Sequence, residues 1–130
     1  MIFLDTSAIY ALADTDDQMH EDALCMFRSA QENNEEFLTH SYVLVESAAL
    51  LQRRLGIKVA LAFLAEASVF NIVWVDQNLH NQAVDYLKQQ GLANLSLVDA
   101  LSILLMREKG IDRYLGFDKH FSDAGFTRYS

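Results

Sequence analysis

Apolar residues along this chain fall into two rhythms. Short unbroken runs, such as Ile2-Phe3-Leu4, alternate with longer stretches in which apolar positions recur every three or four residues. The short runs read as buried strands and the longer ones as amphipathic helices, and their alternation is the mark of βαβ units around a mostly parallel sheet. The first strand is Ile2–Leu4, followed by a short helix around Ala8–Ala13 and a polar break over Asp14–Asp17. A helix from about Gln18 to Asn33 carries Ala23, Leu24, Phe27 and Ala30 on one face. Phe37–Thr39 is the second strand, and Ser41 is expected to cap a helix over Tyr42–Leu55 that Gly56 closes. A helix over roughly Lys58–Ala67 precedes a third strand, Val69–Val75. Asp76 caps a helix to Gln90 that ends at Gly91, and Ser96-Leu-Val-Asp99 has the form of a capping box for a helix through Glu108. Arg113–Phe117 reads as a strand, Asp118 as the cap of a short helical turn over Lys119–Phe121, and Phe126–Tyr129 as a last edge strand. The pattern predicts one α/β domain with four to five strands and six or seven helices.

Composition agrees with a globule. The chain has 130 residues, of which 52% are hydrophobic, enough for a real core. No apolar run reaches membrane-spanning length, and a strand that starts at residue 2 leaves no room before it for a targeting peptide. The single Cys25, set among Leu24, Met26 and Phe27, cannot form an internal disulfide and is expected to be a buried helix residue. These features point to a reducing, cytoplasmic location. The net charge of −8 argues against ordinary nucleic-acid binding, because acidic surfaces repel phosphate backbones. Setting aside four clustered acids leaves 14 acids against 10 bases, which softens the objection without removing it.

Four acids stand out. Asp5 ends the first strand, where an open α/β sheet meets its ligands, although capping the next helix is a sufficient job for it. Glu46 has mostly apolar neighbours in Tyr42–Leu51, a setting that is costly for a carboxylate unless it is paired or on a metal. The alternative is a narrow solvent stripe through Glu46, Ala49 and Arg53. Asp99 can be simply the partner of Ser96, and Asp118 simply a cap. Read jointly, strand ends and helix starts of a right-handed α/β sheet share one edge, so the four carboxylates would converge there. They would repel one another without a cation. Oxygen donors with no cysteine or clustered histidine favour Mg²⁺ or Mn²⁺, ions suited to substrate phosphates.

Ile-Phe-Leu-Asp-Thr-Ser-Ala, the glutamate of the third main helix, Ser-Leu-Val-Asp-Ala and Gly-Phe-Asp-Lys-His-Phe together resemble the PIN domain. Their order and spacing are most similar to the toxin ribonucleases of VapBC-type toxin–antitoxin pairs, over essentially the whole chain. The resemblance implies a single-domain three-layer α/β/α fold with strand order 3-2-1-4-5 and metal-dependent cleavage of RNA phosphodiesters. It places Asp5, Glu46, Asp99 and Asp118 in the metal pocket, with Thr6 and Ser96 as supporting hydroxyls. It also implies a homodimer and a cognate antitoxin whose arginine can enter the acidic pocket. The family often has Thr or Ser two residues before the last Asp, where this chain has Gly116, so one supporting hydrogen bond and a second metal position are expected to be weakened.

His20, His40, His80 and His120 share no ligand spacing and read as surface or cap residues; only His120, two residues after Asp118, is worth testing beside substrate. Arg53, seven residues after Glu46 and about 10 Å along the axis, is a candidate RNA phosphate contact against the plainer reading of a solvated helix end. Phe27, Phe63, Phe70 and Trp74 are expected in the core. Two other functions compete with the nuclease: a binding module that keeps the fold without activity, and a Mg²⁺-dependent aspartyl-phosphate protein. The latter usually has a second acid where this chain has Ser7.

Overall fold

In the computed structural model, which describes residues 1–130, the first apolar run becomes the central strand. β1 (Ile2–Leu4) is buried along its whole length. It lies between β2 (Phe37–His40) and β4 (Arg113–Leu115), with Phe3 opposite both Leu38 and Tyr114. β3 (Asn71–Val73) and β5 (Thr127–Arg128) are the edges of an all-parallel sheet of order β3-β2-β1-β4-β5.

The chain moves outward from β1 through β2 to β3, then crosses back to β4. With right-handed crossovers, the helices of the two journeys lie on opposite faces of the sheet. The packing agrees. α1 (Thr6–Ala13), α2 (His20–Glu32), α3 (Ser41–Leu55) and α4 (Ile57–Glu66) pack among themselves. On the other face α5 (Gln77–Gln90) packs on α6 (Leu97–Lys109), and α7 (His120–Asp123) closes the chain against β5. Strand order reverses between β1 and β4, the kind of point at which open α/β sheets meet their ligands.

Local chemistry explains most boundaries. Asp76 accepts from the Leu79 amide at 2.8 Å, and Gly91 and Gly110 end α5 and α6 in the left-handed conformation that glycine adopts without penalty. Ser96 and Asp99 form the expected reciprocal capping box. Other expectations are corrected. The cap of α3 is His40, whose Nδ1 accepts from the Val43 amide at 3.2 Å. Ser41 is instead the first helical residue, its hydroxyl accepting from the Val75 amide at 3.0 Å and tying α3 to the segment after β3. The third strand is only three residues long, because Ala67–Val69 forms a 3-10 turn. Trp74 follows this edge strand and is 69% exposed rather than part of the core, whereas Phe27, Phe63 and Phe70 pack against the core. Cys25 is exposed. Two residues of helix turn about 200° from the buried Ala23, so the inward face of α2 passes it by.

His40 is buried beside Phe3. The Ser102 hydroxyl spends its proton on the Val98 carbonyl (2.8 Å), so His40 donates from Nε2 to Ser102 Oγ, also at 2.8 Å. With Nδ1 accepting and Nε2 donating, the ring is a single neutral tautomer, and burial pushes its pKa down to about 3 from the usual 6.5. A neutral folded histidine that protonates when unfolded contributes stability above pH 6.5, lost as pH falls toward 3. His40→Asn keeps a capping side chain and removes this titration. Chemical denaturation without metal should show the variant losing about 1–2 kcal/mol less than wild type between about pH 7 and pH 5. Equal losses would contradict the assignment.

Candidate metal centre

Asp5 follows β1 directly. Its amide donates to the Leu115 carbonyl of β4 at 3.1 Å, so it belongs to the ladder across the switch point. Its side chain also caps α1, Oδ2 accepting from the Ser7 amide at 3.3 Å and from the Ser7 hydroxyl at 2.8 Å. Ser7 Oγ in turn accepts from the Phe117 amide at 2.8 Å. One hydroxyl thus joins the ends of β1 and β4 and fixes Asp5 between them. Sequence reasoning passed over Ser7, because its partner lies 110 residues away.

Gly116 is shaped to this arrangement. A Cβ there would lie 3.0 Å from Asp5 Cβ and 3.2 Å from Ser7 Oγ. The space that a side chain at 116 would need is held by Asp5 and Ser7. The hydrogen bond expected to be missing at Gly116 is therefore matched, for Asp5, by one from Ser7.

Asp99 and Asp118 come to the same edge. Asp99 is held by the capping box, Oδ2 accepting from the Ser96 amide at 3.2 Å. Asp118 lies three residues beyond β4, after Gly116 and Phe117, and its Oδ1 accepts from the His120 amide at 3.0 Å. His120 Nε2 stands 3.6 Å from Asp118 Oδ1 and 4.0 Å from Asp99 Oδ2. One donor atom from each of Asp99, Asp118 and His120 lies within 4.8 Å of the other two. Asp5 is not in this tight group, and neither is Glu46. Glu46 lies on a solvent-facing stripe of α3 with Ala49 and Arg53, so the apolar neighbours that suggested a buried carboxylate do not enclose it. The next residue, Ser47, is the inward one, donating to Thr6 Oγ1 at 3.4 Å and bracing the start of α1 against α3. Arg53 is exposed in the last turn of α3, on the far side of Glu46 from the strand ends.

Asp5 is 5% exposed. Burial raises its pKa from 3.8 to about 6; the Ser7 hydrogen bonds oppose the shift and the Asp99 charge adds to it. No lysine or arginine forms an ion pair with Asp5, Glu46, Asp99 or Asp118; the ion pairs are at Glu35 and within the histidine group. A buried carboxylate held short of full ionisation, with two more acids at the same edge, is a donor set that lacks positive charge, and a divalent cation fits it. An apolar cavity of about 480 Å³ lies elsewhere, among α1, α2 and α4.

The PIN domain family model matches residues 2–127. The chain belongs to the PIN domain family. It is 37% identical over 129 residues to the 23S rRNA-specific endonuclease VapC20 of Mycobacterium tuberculosis, covering 98% of this chain and 96% of that protein. The crystal structure of M. tuberculosis VapC20, described as a sarcin-ricin loop cleaving toxin, superposes with a TM-score of 0.86 at 34% identity, covering 98% of this chain and 97% of that one. FitAcB from Neisseria gonorrhoeae shares the fold at 17% identity, with a TM-score of 0.69 over 100% of this chain and 97% of that one. The PIN fold accounts for the parallel order β3-β2-β1-β4-β5.

Two outcomes follow for this PIN site. The raised pKa of Asp5 means that its stability contribution is present at low pH and is lost as pH rises from 3.8 through about 6. In metal-free protein at about pH 8, Asp5→Asn should therefore be more stable than wild type by on the order of 1–3 kcal/mol in urea unfolding; an equal or lower stability would refute the strain. Gly116→Ser, which supplies the hydroxyl common in the family, should lower stability by about 1 kcal/mol through crowding of Asp5. An unchanged or raised melting temperature would show that the space is free.

Proposed function

We propose that this chain is a metal-dependent endoribonuclease and the toxin of a toxin–antitoxin pair. The observation that carries the reading is the pairing of Asp99 and Asp118 beside the buried Asp5, which feels the Asp99 charge, with no lysine or arginine to neutralise them. Near-complete coverage of a relative named for cleaving 23S rRNA supports the choice of reaction. Asp5, Asp99 and Asp118, with Glu46 from the rim, would hold Mg²⁺ or Mn²⁺. When bound, such an ion supplies electrostatic stabilisation of the charge that builds on a phosphodiester during in-line displacement.

The chain's own residues supply the rest. Ser96 fixes Asp99 through the capping box, and Thr6, braced by Ser47, sets the first turn after Asp5. Ser7 occupies Asp5 Oδ2, so a proton on that carboxyl resides on Oδ1, the oxygen left for ligand. A cavity of about 320 Å³ beside Asp118 is lined by Gly116, Phe117, Lys119, Ser122 and Arg128. The Arg128 guanidinium lies 5.7 Å from the Phe117 ring centroid. Lys119 and Arg128 put positive charge where an acidic protein most needs it, and we assign the RNA backbone to this side of the centre. Arg53 is a more distant phosphate contact. The substrate we propose is a structured loop of 23S rRNA. The proposed partners, an antitoxin and a second copy of the chain, follow the family reading. Exposed Ile57, Leu61 and Leu64 on α4 are surface that partners commonly cover.

Incubation with large ribosomal subunits and Mn²⁺ should release one discrete rRNA fragment, and chelation should stop the reaction. Asp99→Asn, which keeps a capping side chain, should cut about 100-fold more slowly or worse with an unchanged circular dichroism spectrum. Cleavage by Asp99→Asn and Asp5→Asn at the wild-type rate would defeat the proposal.

A further inference from the structure

Of the four imidazoles, three have ring nitrogens committed away from the acids. His20 Nδ1 is 2.7 Å from the Ala11 carbonyl, His40 uses both nitrogens within the core, and His80 Nδ1 is 2.6 Å from the Tyr42 hydroxyl. His120 differs. Its ring makes no hydrogen bond to a protein donor or acceptor, its side chain is 12% exposed, and Nε2 faces only carboxylate oxygens of Asp118 and Asp99, at 3.6 and 4.0 Å. The His120 amide also donates to Asp118 Oδ1, at 3.0 Å, which ties the start of α7 to that carboxylate.

These spacings are somewhat wider than those of ligands around one ion. With bonds of about 2.1 Å in octahedral geometry, neighbouring donors lie about 3 Å apart and opposite donors about 4 Å apart. The three donor atoms, all within 4.8 Å of one another, need only small side-chain movements to reach such positions. A nitrogen donor also changes which ion is favoured. Imidazole binds the later divalent transition ions better than it binds Mg²⁺, whose preference is for carboxylate and water oxygen.

We propose that His120 Nε2 is a direct ligand at this centre, which makes it a mixed nitrogen–oxygen site that selects Mn²⁺ over Mg²⁺. The inference rests on the metal-dependent reading above and adds a ligand to it. The test is electron spin-echo spectroscopy of the full chain loaded with Mn²⁺, which detects nitrogen bonded to the ion. Wild-type protein should show ¹⁴N modulation that changes to the ¹⁵N pattern when only histidine is ¹⁵N-labelled. His120→Gln should lose the modulation and bind Mn²⁺ about tenfold more weakly, while its Mg²⁺ affinity changes less than about threefold. The labelled wild type shows whether a histidine nitrogen binds the ion even where the variant folds poorly, and His20, His40 and His80 are each held by a hydrogen bond away from Asp99 and Asp118. Bound Mn²⁺ without nitrogen modulation, or modulation that survives His120→Gln, would overturn this proposal and leave the nuclease reading standing. Failure of wild type to bind Mn²⁺ at all would overturn both.

Discussion

A carboxylate taken out of water at the end of the central strand is the constraint around which this fold is arranged. Asp5 cannot move away from its burial, because its backbone is part of the β1–β4 ladder and its side chain caps the first helix. Asp99 adds negative charge from α6, and the Ser7 hydrogen bonds only partly offset the cost of burial. Such a group lowers the stability of the empty protein at neutral pH. A divalent cation at this edge would meet the charge directly.

The surrounding structure serves to hold that charge still. Ser7 spans two strand ends, Gly116 leaves the space in which it does so, and Ser47 braces Thr6 from the next helix over. These contacts come from segments far apart in the chain, so the geometry exists only when the sheet is assembled. Placing a site at the reversal of strand order gives such contacts naturally, since two strands leave the sheet there toward helices on opposite faces.

Much of this was legible before the structure. The run Ile2–Leu4, the caps at Asp76 and Ser96, the glycines after α5 and α6 and the alternation of elements follow from local chemistry, and the strand order followed from the family resemblance. Asp5, Asp99 and Asp118 were singled out because each follows a strand or opens a helix. Glu46 was read in the wrong setting. α3 has apolar residues on more than one face, so sequence neighbours could not say which way a side chain between them points, and the solvent stripe proved correct. Ser7 and His40 were missed as supports because their partners, Phe117 and Ser102, are distant in sequence. Trp74 and Cys25 misled for a similar reason. Apolar character was taken as burial, but one follows an edge strand and the other lies off the inward face of its helix.

The central proposal is that the carboxylates of Asp5, Asp99 and Asp118 share a divalent cation. The most direct test is a crystal soaked in Mn²⁺ and measured near the manganese absorption edge. The account predicts an anomalous peak within bonding distance of oxygens from those three residues. A map with no peak at the β1–β4 switch point, or with Mn²⁺ held only by acids on another face, would contradict it.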